Sequence, residues 1–197
     1  MKILKNFFFS LFIVLIFTNI SWSKSASKFI TSLTNEASNV LSSKLSDDEK
    51  IIRLKEIGER SVDIEGIGFY TLGKYRKKLT DSQREQYNEL FKNYFLKSFS
   101  SRLVGYTDAK ITVLSEEIKN EKYTIVFSKL IGTSDRPEVK IDWRVYTKNP
   151  ENPLVRDLVI EGLSLARTQK EEFNSIIVNN DDSIEALFEN LNKFLEN

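Results

Sequence analysis

The chain has 197 residues, of which 41% are apolar and 29% charged, so we expect it to fold as one domain of ordinary size. It contains neither Cys nor His, which excludes thiol nucleophiles, histidine-based triads, imidazole acid–base catalysis and the commonest zinc sites, and leaves carboxylate, lysine or tyrosine catalysis open. The formal net charge of +1 gives no sequence-wide attraction to nucleic acid or to an anionic membrane.

Residues 1–23 have the pattern of a secretory signal peptide. Two lysines form a basic start, and a mainly apolar run follows over residues 7–17. This run is shorter than the roughly 20 residues that a membrane-spanning helix needs, which favours cleavage over anchoring. We predict cleavage after Ser23, with Ser25 as the alternative, and a single mature domain over residues 24–197. No Cys lies near this site, which excludes a lipid-modified N-terminus.

Three helices are predicted after the signal peptide. Residues 26–41 have apolar side chains at helical spacing. The capping box Ser46–Glu49 opens a second helix. Asp63 can cap a short third helix that runs through Leu72, and Gly73 is placed to end it.

The longest helix is predicted from a second capping box, Thr80–Gln83, to about Leu103. Large side chains at i, i+3 and i+4 give it a mostly aromatic stripe, formed by Tyr87, Leu90, Phe91, Tyr94, Phe95 and Phe99. Periodicity does not separate core packing from direct ligand contact for this stripe.

The hydrophobic period then changes to two. Residues 139–146 alternate apolar and polar side chains, as in a half-buried strand. Three further segments have strand character: 109–118, 122–132 and 154–164. Short turns, among them one at 133–135, join them, so we predict a four-stranded antiparallel meander. Two helices follow, beginning near Thr168 and Asp182, and the architecture is α+β, with helices laid on a curved antiparallel sheet.

Three features are candidates for chemistry. Asp157 and Glu161 lie four residues apart on a predicted strand, and paired carboxylates can perform acid–base catalysis; ion pairing with the neighbouring Arg144 and Arg156 is the structural alternative, which we favour. The basic cluster at residues 75–78 fits a solvated turn, or a rim that meets a phosphate head group or an acidic partner surface. Gly66 and Gly68 weaken a short helix, which close approach of another chain or of a ligand would explain. No nucleophile motif, phosphate loop or metal-ligand cluster is present, so we predict no catalytic residue, metal or cofactor.

Three stretches together resemble the MlaC family, also called the toluene-tolerance or ABC-transporter auxiliary family. Residues 67–76 are similar to its apolar helix, which ends in Leu-Gly followed by an aromatic residue and Arg. Residues 79–94 are similar to its Thr-x-x-Gln pattern before an aromatic helix. Residues 155–173 are similar to its Asp, Glu-Gly-x-Ser strand and the helix after it. Tyr75 departs from the Trp that is usual at its position.

The resemblance implies a secreted periplasmic carrier rather than an enzyme. It implies a mixed α/β domain with an elongated apolar cavity between helices and sheet, which takes the acyl tails of a glycerophospholipid. Its implied partners are an inner-membrane ABC transporter complex with an MCE-domain subunit and an outer-membrane lipoprotein–porin complex, and its implied role is to maintain outer-membrane lipid asymmetry. The alternative is a carrier of another apolar ligand, such as a hopanoid or a lipoprotein acyl chain.

Periodicity assigns the residues that such a cavity would use. We predict lipid contact by Ile67, Phe69, Tyr70, Leu72, Phe91, Phe95, Phe99, Ile125, Phe127, Trp143, Val145, Leu158 and Ile160. We predict that Tyr75, Arg76, Lys77 and Lys78 form a rim for partners or the head group. The lipid is expected between the aromatic stripe and the apolar face of the strands.

Overall fold

The computed structural model describes residues 25–107, 110–132 and 137–197. The predicted signal peptide, residues 1–23, and the turn predicted at 133–135 lie outside these ranges. Within them, six α-helices flank an antiparallel sheet of five strands, which confirms the predicted α+β class.

Four α-helices precede the sheet, and side-chain caps set where they begin. Their bounds are α1 Ala26–Leu41, α2 Asp47–Ser61, α3 Ile64–Thr71 and α4 Asp81–Leu103. The capping boxes predicted at Ser46 and Thr80 are both present, each with reciprocal hydrogen bonds to the residue three positions later. Asp63 caps α3, because its Oδ1 accepts a hydrogen bond from the amide of Gly66 at 3.0 Å.

A 3₁₀ turn, Gly73–Lys77, separates α3 from α4. Gly73 has φ +54°, a left-handed conformation that other residues adopt only with strain. The predicted end of α3 at this glycine is therefore confirmed.

The sheet is a meander in which each strand pairs with its neighbour in sequence. The first four strands are those predicted: β1 Ile111–Asn120, β2 Tyr123–Leu130, β3 Val139–Tyr146 and β4 Leu154–Ile160. The segment predicted as one strand over 154–164 is divided by a turn, because Glu161 and Gly162 both have positive φ. The chain reverses there and returns as the two-residue strand β5, Leu163–Ser164.

Two helices complete the fold, α5 Leu165–Val178 and α6 Ile184–Glu196. Helix α5 begins earlier than predicted because Ser164, and not Thr168, caps it; Ser164 Oγ accepts the amide of Arg167 at 3.1 Å. Helix α6 is capped by Ser183, the residue after the predicted Asp182.

The buried apolar side chains form three clusters. The helical cluster belongs to α3, the 3₁₀ turn, α4, α5 and α6, and includes Tyr87, Phe91 and Phe173. The α1–sheet cluster joins α1 to one face of the sheet around Val126 and Trp143. A third cluster, of α1, α2 and α4, surrounds Leu54. The helical cluster is the largest of the three, and the other two are smaller clusters beside it.

Candidate functional site

Four of the predicted lipid-contacting residues lie in the helical cluster. Ile67, Leu72 and Phe91 are buried in it, and Phe95 packs against its margin. Helices α3 and α4 approach closely here: a Cβ placed on Gly68 would lie only 2.7 Å from Cδ1 of Phe91. The expected close approach at a glycine of α3 is therefore present at Gly68, and the neighbour is a ring of the same chain.

The aromatic stripe of α4 faces other helices over its first half. Tyr87 stacks with Phe188 of α6, with 6.2 Å between ring centroids, and Phe91 meets Phe173 of α5 edge-on at 6.1 Å. The expectation that this part of the stripe faces the sheet across a lipid is wrong, because α5 and α6 cover it.

The second half of the stripe is less enclosed. Phe95 and Phe99 stack on each other with 5.8 Å between centroids, and both are only partly buried. Phe99 also lies against α2, where its Cε1 would be 3.4 Å from a Cβ on Gly58. Contact of these two rings with a lipid stays a prediction.

Four predicted residues share the sheet face that α1 covers. Trp143 and Val145 are buried in the α1–sheet cluster, and Leu158 packs against it. Ile160 pairs with Ile141 of that cluster, and directly opposed residues of an antiparallel pair point to the same face. These side chains therefore lie on the apolar face of the sheet, and their contact with lipid stays a prediction.

Ile125 and Phe127 lie on the other face, so their placement in the same cavity is wrong. The register opposes Ile125 to Arg144 and Phe127 to Asp142, while Val126 is the residue opposite Trp143. Strand β2 carries apolar side chains on both faces, and a shift of one residue exchanges those faces. The sequence pattern of β2 alone therefore did not determine which set faces α1.

Phe69 and Tyr70 are exposed, at 39% and 40% of their surface. The expectation that they line an internal cavity is wrong for this structure, because the apolar residues of α3 extend around the helix and only one side packs against α4 and α5. A basic side chain lies near each ring: the guanidinium of Arg76 is 5.6 Å from the centroid of Phe69, and Lys170 Nζ is 5.2 Å from that of Tyr70.

The predicted rim is divided between core and surface. Tyr75 is a core residue, only 2% exposed, so its assignment to the rim is wrong: the 3₁₀ turn directs its ring into the helical cluster. Its hydroxyl donates a hydrogen bond to the exposed carboxylate of Asp182, which raises the pKa of Tyr75 and lowers the pKa of Asp182. The other three rim residues are exposed: Arg76, Lys77 and Lys78.

The three apolar clusters meet at two shared residues, and we call this boundary the seam. Val62 packs against both the helical cluster and the α1–sheet cluster, and Leu33 packs against both the α1–sheet cluster and the third cluster. The sequence prediction missed Val62, although an apolar residue directly before the cap Asp63 is a known signature of a helix start.

A polar link joins the sheet to α3 beside Val62. The amide of Asp63 donates to the carbonyl of Val155 at 2.9 Å, and its carboxylate pairs with the Arg156 guanidinium. That guanidinium also lies 3.9 Å above the ring of Tyr146. Burial opposes the charge on Arg156, but its hydrogen bonds to Asp63 and Tyr123 raise its pKa overall.

Of the two carboxylates predicted as a pair, Asp157 and Glu161, the buried Asp157 has a structural role. Asp157 pairs with Arg144 at 3.1 Å and accepts hydrogen bonds from Ser164 Oγ at 2.7 Å and from the amide of Ala166 at 3.0 Å. It therefore fastens the start of α5 to β4. Glu161 is exposed and accepts the amide of Lys140 at 2.6 Å. The favoured interpretation of Asp157 as an ion-pair partner is confirmed, whereas Arg156 pairs with Asp63 instead.

Two open concave sites lie between helices of the helical cluster. One, of about 420 Å³, lies between α5 and α6 and is lined mainly by polar side chains; the other, of about 360 Å³, includes Phe91 beside Ile64 and Lys92. In the part of the chain that the structure describes, no three acidic side chains are grouped to hold a metal ion. No helix among the described residues combines the length and apolar character needed to cross a bilayer.

Comparison with known proteins agrees with the fold. A phospholipid-binding protein from Ralstonia solanacearum, solved in complex with a phospholipid, superposes with a TM-score of 0.72. The match covers 87% of this chain and 97% of that one at 15% sequence identity, so the likeness concerns the fold. The family model described as MlaC protein matches residues 30–193, nearly all of the described chain. The chain therefore belongs to the MlaC family.

Proposed function

We propose that the chain is a phospholipid carrier that holds acyl tails in the seam between its apolar clusters. The observation that carries this proposal is the membership of the MlaC family over residues 30–193. The shared fold with a protein solved with a phospholipid supports the class of ligand.

Physical chemistry explains what such a carrier needs. Each CH₂ group of a lipid tail gains about 0.8 kcal/mol on leaving water, so a two-tailed lipid leaves a bilayer very slowly without help. A carrier therefore needs an apolar sleeve and no catalytic group. A chain that has 14 Phe residues and neither His nor Cys fits that requirement, and we propose a binding protein rather than an enzyme.

The proposed tail site lies where the apolar packing is divided. The clusters share Val62 and Leu33 as boundary residues, and both of these side chains are only partly buried. We propose that the tails contact Leu33 and Val62 at the seam, together with the predicted residues Phe95, Phe99, Trp143 and Leu158.

The cellular role is proposed from the family. Residues 1–23 would direct the chain to the periplasm and be removed there. The carrier would exchange lipid between an outer-membrane lipoprotein–porin complex and an inner-membrane ABC transporter with an MCE-domain subunit, and so maintain outer-membrane lipid asymmetry. A partner would have to open the seam for release, since the chain has no phosphate-binding loop to use nucleotide energy.

Extraction tests the ligand. The protein is purified from the periplasm, extracted with organic solvent, and the extract is analysed by mass spectrometry. We expect glycerophospholipid in stoichiometric amount. If the extract contained only a hopanoid or a lipoprotein acyl chain, the protein would be a carrier of that ligand instead of phospholipid. An empty protein that turns over a substrate would refute the carrier function.

A variant tests the site. Phe95→Glu places a charge at the half-buried part of the stripe, where acyl tails would have to desolvate it, so we expect a several-fold loss of co-purified lipid. Phe194→Glu is the matched control, because Phe194 is a partly exposed ring of α6, at 38% exposure, that packs against Tyr94 and is not among the proposed tail contacts. Equal lipid occupancy in both folded, secreted variants would remove Phe95 from the site.

A further inference from the structure

Three elements bring exposed rings and cations together on one surface. Helix α3 contributes Phe69 and Tyr70, the 3₁₀ turn and the residue after it contribute three cations, and α5 contributes Lys170. We call this surface the aromatic–basic patch, formed by Phe69, Tyr70, Arg76, Lys77, Lys78 and Lys170.

The patch is held together by contacts of its own. Arg76 lies over Phe69 and Lys170 over Tyr70, at cation–π distances of 5.6 and 5.2 Å. The Cε atom of Lys170 would lie 3.0 Å from a Cβ on Gly73, so α5 and the 3₁₀ turn are in close contact. The rings nevertheless keep about two fifths of their surface in solvent.

The patch carries an excess of positive charge. No described residue forms an ion pair with Arg76, Lys77 or Lys78. The nearby acid Asp182 already accepts the hydroxyl of Tyr75 and lies 3.9 Å from Lys74, and Lys78 adds to the positive charge around it, with its Nζ 5.4 Å from the centroid of the Tyr75 ring. The near-neutral chain as a whole thus has a local surface with cations available for an external anion.

We propose that the aromatic–basic patch docks the protein on an anionic lipid bilayer surface. Exposed rings beside cations match the interfacial region of a bilayer, where aromatic side chains lie at head-group level and Lys and Arg attract anionic lipid. Protein–protein interfaces are depleted in lysine, and three of the four cations are lysine, so a lipid surface fits this patch better than an acidic protein.

Co-sedimentation with vesicles tests the proposal on the purified protein. We expect binding to vesicles of equal parts phosphatidylglycerol and phosphatidylcholine, weakening as salt is raised, and at least about tenfold weaker binding to phosphatidylcholine alone. Lys77→Glu/Lys78→Glu should reduce binding by about tenfold or more. Lys122→Glu/Lys148→Glu makes the same change of charge at exposed positions beside the sheet hairpins, and should leave binding within about twofold.

A ring reporter tests the aromatic half of the patch. Tyr70→Trp should shift its emission to shorter wavelength on anionic vesicles, because the ring enters a less polar region, and Phe69→Ala should weaken binding several-fold. Absence of vesicle binding, or equal loss in the patch and control double variants, would overturn the proposal. The proposal would also be overturned if the parent protein bound an acidic protein but no vesicles, and the patch variants lost that protein binding.

The two proposals fail separately. The amount of co-purified lipid reports on the seam and vesicle binding reports on the patch, so each variant is measured in both assays. A patch variant that binds vesicles normally but has lost its lipid would contradict docking at this surface.

Discussion

At the scale of single residues, one glycine sets how closely α3 and α4 approach. Gly68 has no side chain, and the ring of Phe91 occupies the space where a Cβ would lie. Phe91 is 2% exposed and contacts rings of α4 and α5, so it has little room to move away. Gly68 therefore allows close packing of the two helices, although glycine has a lower helix propensity than alanine.

We predict that Gly68→Ala lowers the free energy of unfolding by about 1–2 kcal/mol, because the clash outweighs the gain in helix propensity. Urea denaturation measures the change. Gly105→Ala is the control, since a Cβ there would have no heavy atom within 4 Å, and it should change stability by less than about 0.5 kcal/mol. An equal effect of both substitutions would show that the contact with Phe91 is not limiting.

A buried tyrosine makes stability depend on alkaline pH. Tyr87 is fully buried; its hydroxyl is 2.8 Å from Thr71 Oγ1 and donates to the carbonyl of Gly68 at 3.2 Å. Burial raises its pKa far above the ordinary value. The neutral phenol is therefore favoured by the folded state, and this contribution is complete below about pH 10 and declines as pH rises above it, where the unfolded chain ionises.

We predict that Tyr87→Phe is about 1 kcal/mol less stable than the parent at neutral pH, because the hydroxyl's hydrogen bonds are lost. Above about pH 10 the difference should shrink, since only the parent has this group to ionise on unfolding. Urea unfolding of both proteins across this range measures it. Stability profiles that stay parallel through alkaline pH would contradict the assignment.

At the scale of elements, the carboxylate of Asp63 makes two separate interactions. It caps α3 through Gly66 and pairs with Arg156 of β4, so it ties a helix of the helical cluster to the edge of the sheet. Both side chains are mostly buried, which makes the pair worth more than one at the surface.

Two substitutions separate the contribution of the helix cap from that of the ion pair. Asp63→Asn keeps a good cap and loses the charge, so we predict a loss of about 1 kcal/mol; Asp63→Ala loses both and should cost about 2–3 kcal/mol. Thermal or urea unfolding gives the order. If the two variants were equally stable, the cap at Gly66 would make no contribution.

The starts of α2 and α4 and the period of β3 were predictable from sequence because each depends on nearby residues. The capping boxes at Ser46 and Thr80 and the alternation of β3 specify local structure almost alone. The turn at Gly162 was not predicted, because residues typical of strands continue on both sides of it. Its neighbour Glu161 has a positive φ, which is unusual for glutamate and gives no signal in the sequence.

The candidate site was less predictable because it depends on which faces meet. Ile125 and Val126 are both apolar, and only pairing with β3 places Val126 beside Trp143. Tyr75 has four cations beside it in sequence, Lys74 and residues 76–78, yet its ring is buried whereas their side chains are exposed. Neither outcome follows from spacing along one element.

At the scale of the whole molecule, the division of the core into clusters connects fold to function. A carrier must hold an apolar ligand tightly and still release it, which a single close-packed core does not permit. In the proposed carrier, the tails would enter at the boundary where the clusters meet at Val62 and Leu33. The patch on α3 and α5 would present that carrier to a membrane.

Fluorescence of Trp143 tests the central claim most directly. The chain has two Trp residues, one within the predicted signal peptide, so Trp143 would be the single reporter of the secreted protein. It lies 9% exposed on the sheet face that borders the seam. We predict that a phospholipid brominated on its acyl tails quenches this emission once bound, and that the unbrominated lipid does not. Stoichiometric binding of the brominated lipid without quenching would place the tails elsewhere and contradict the account.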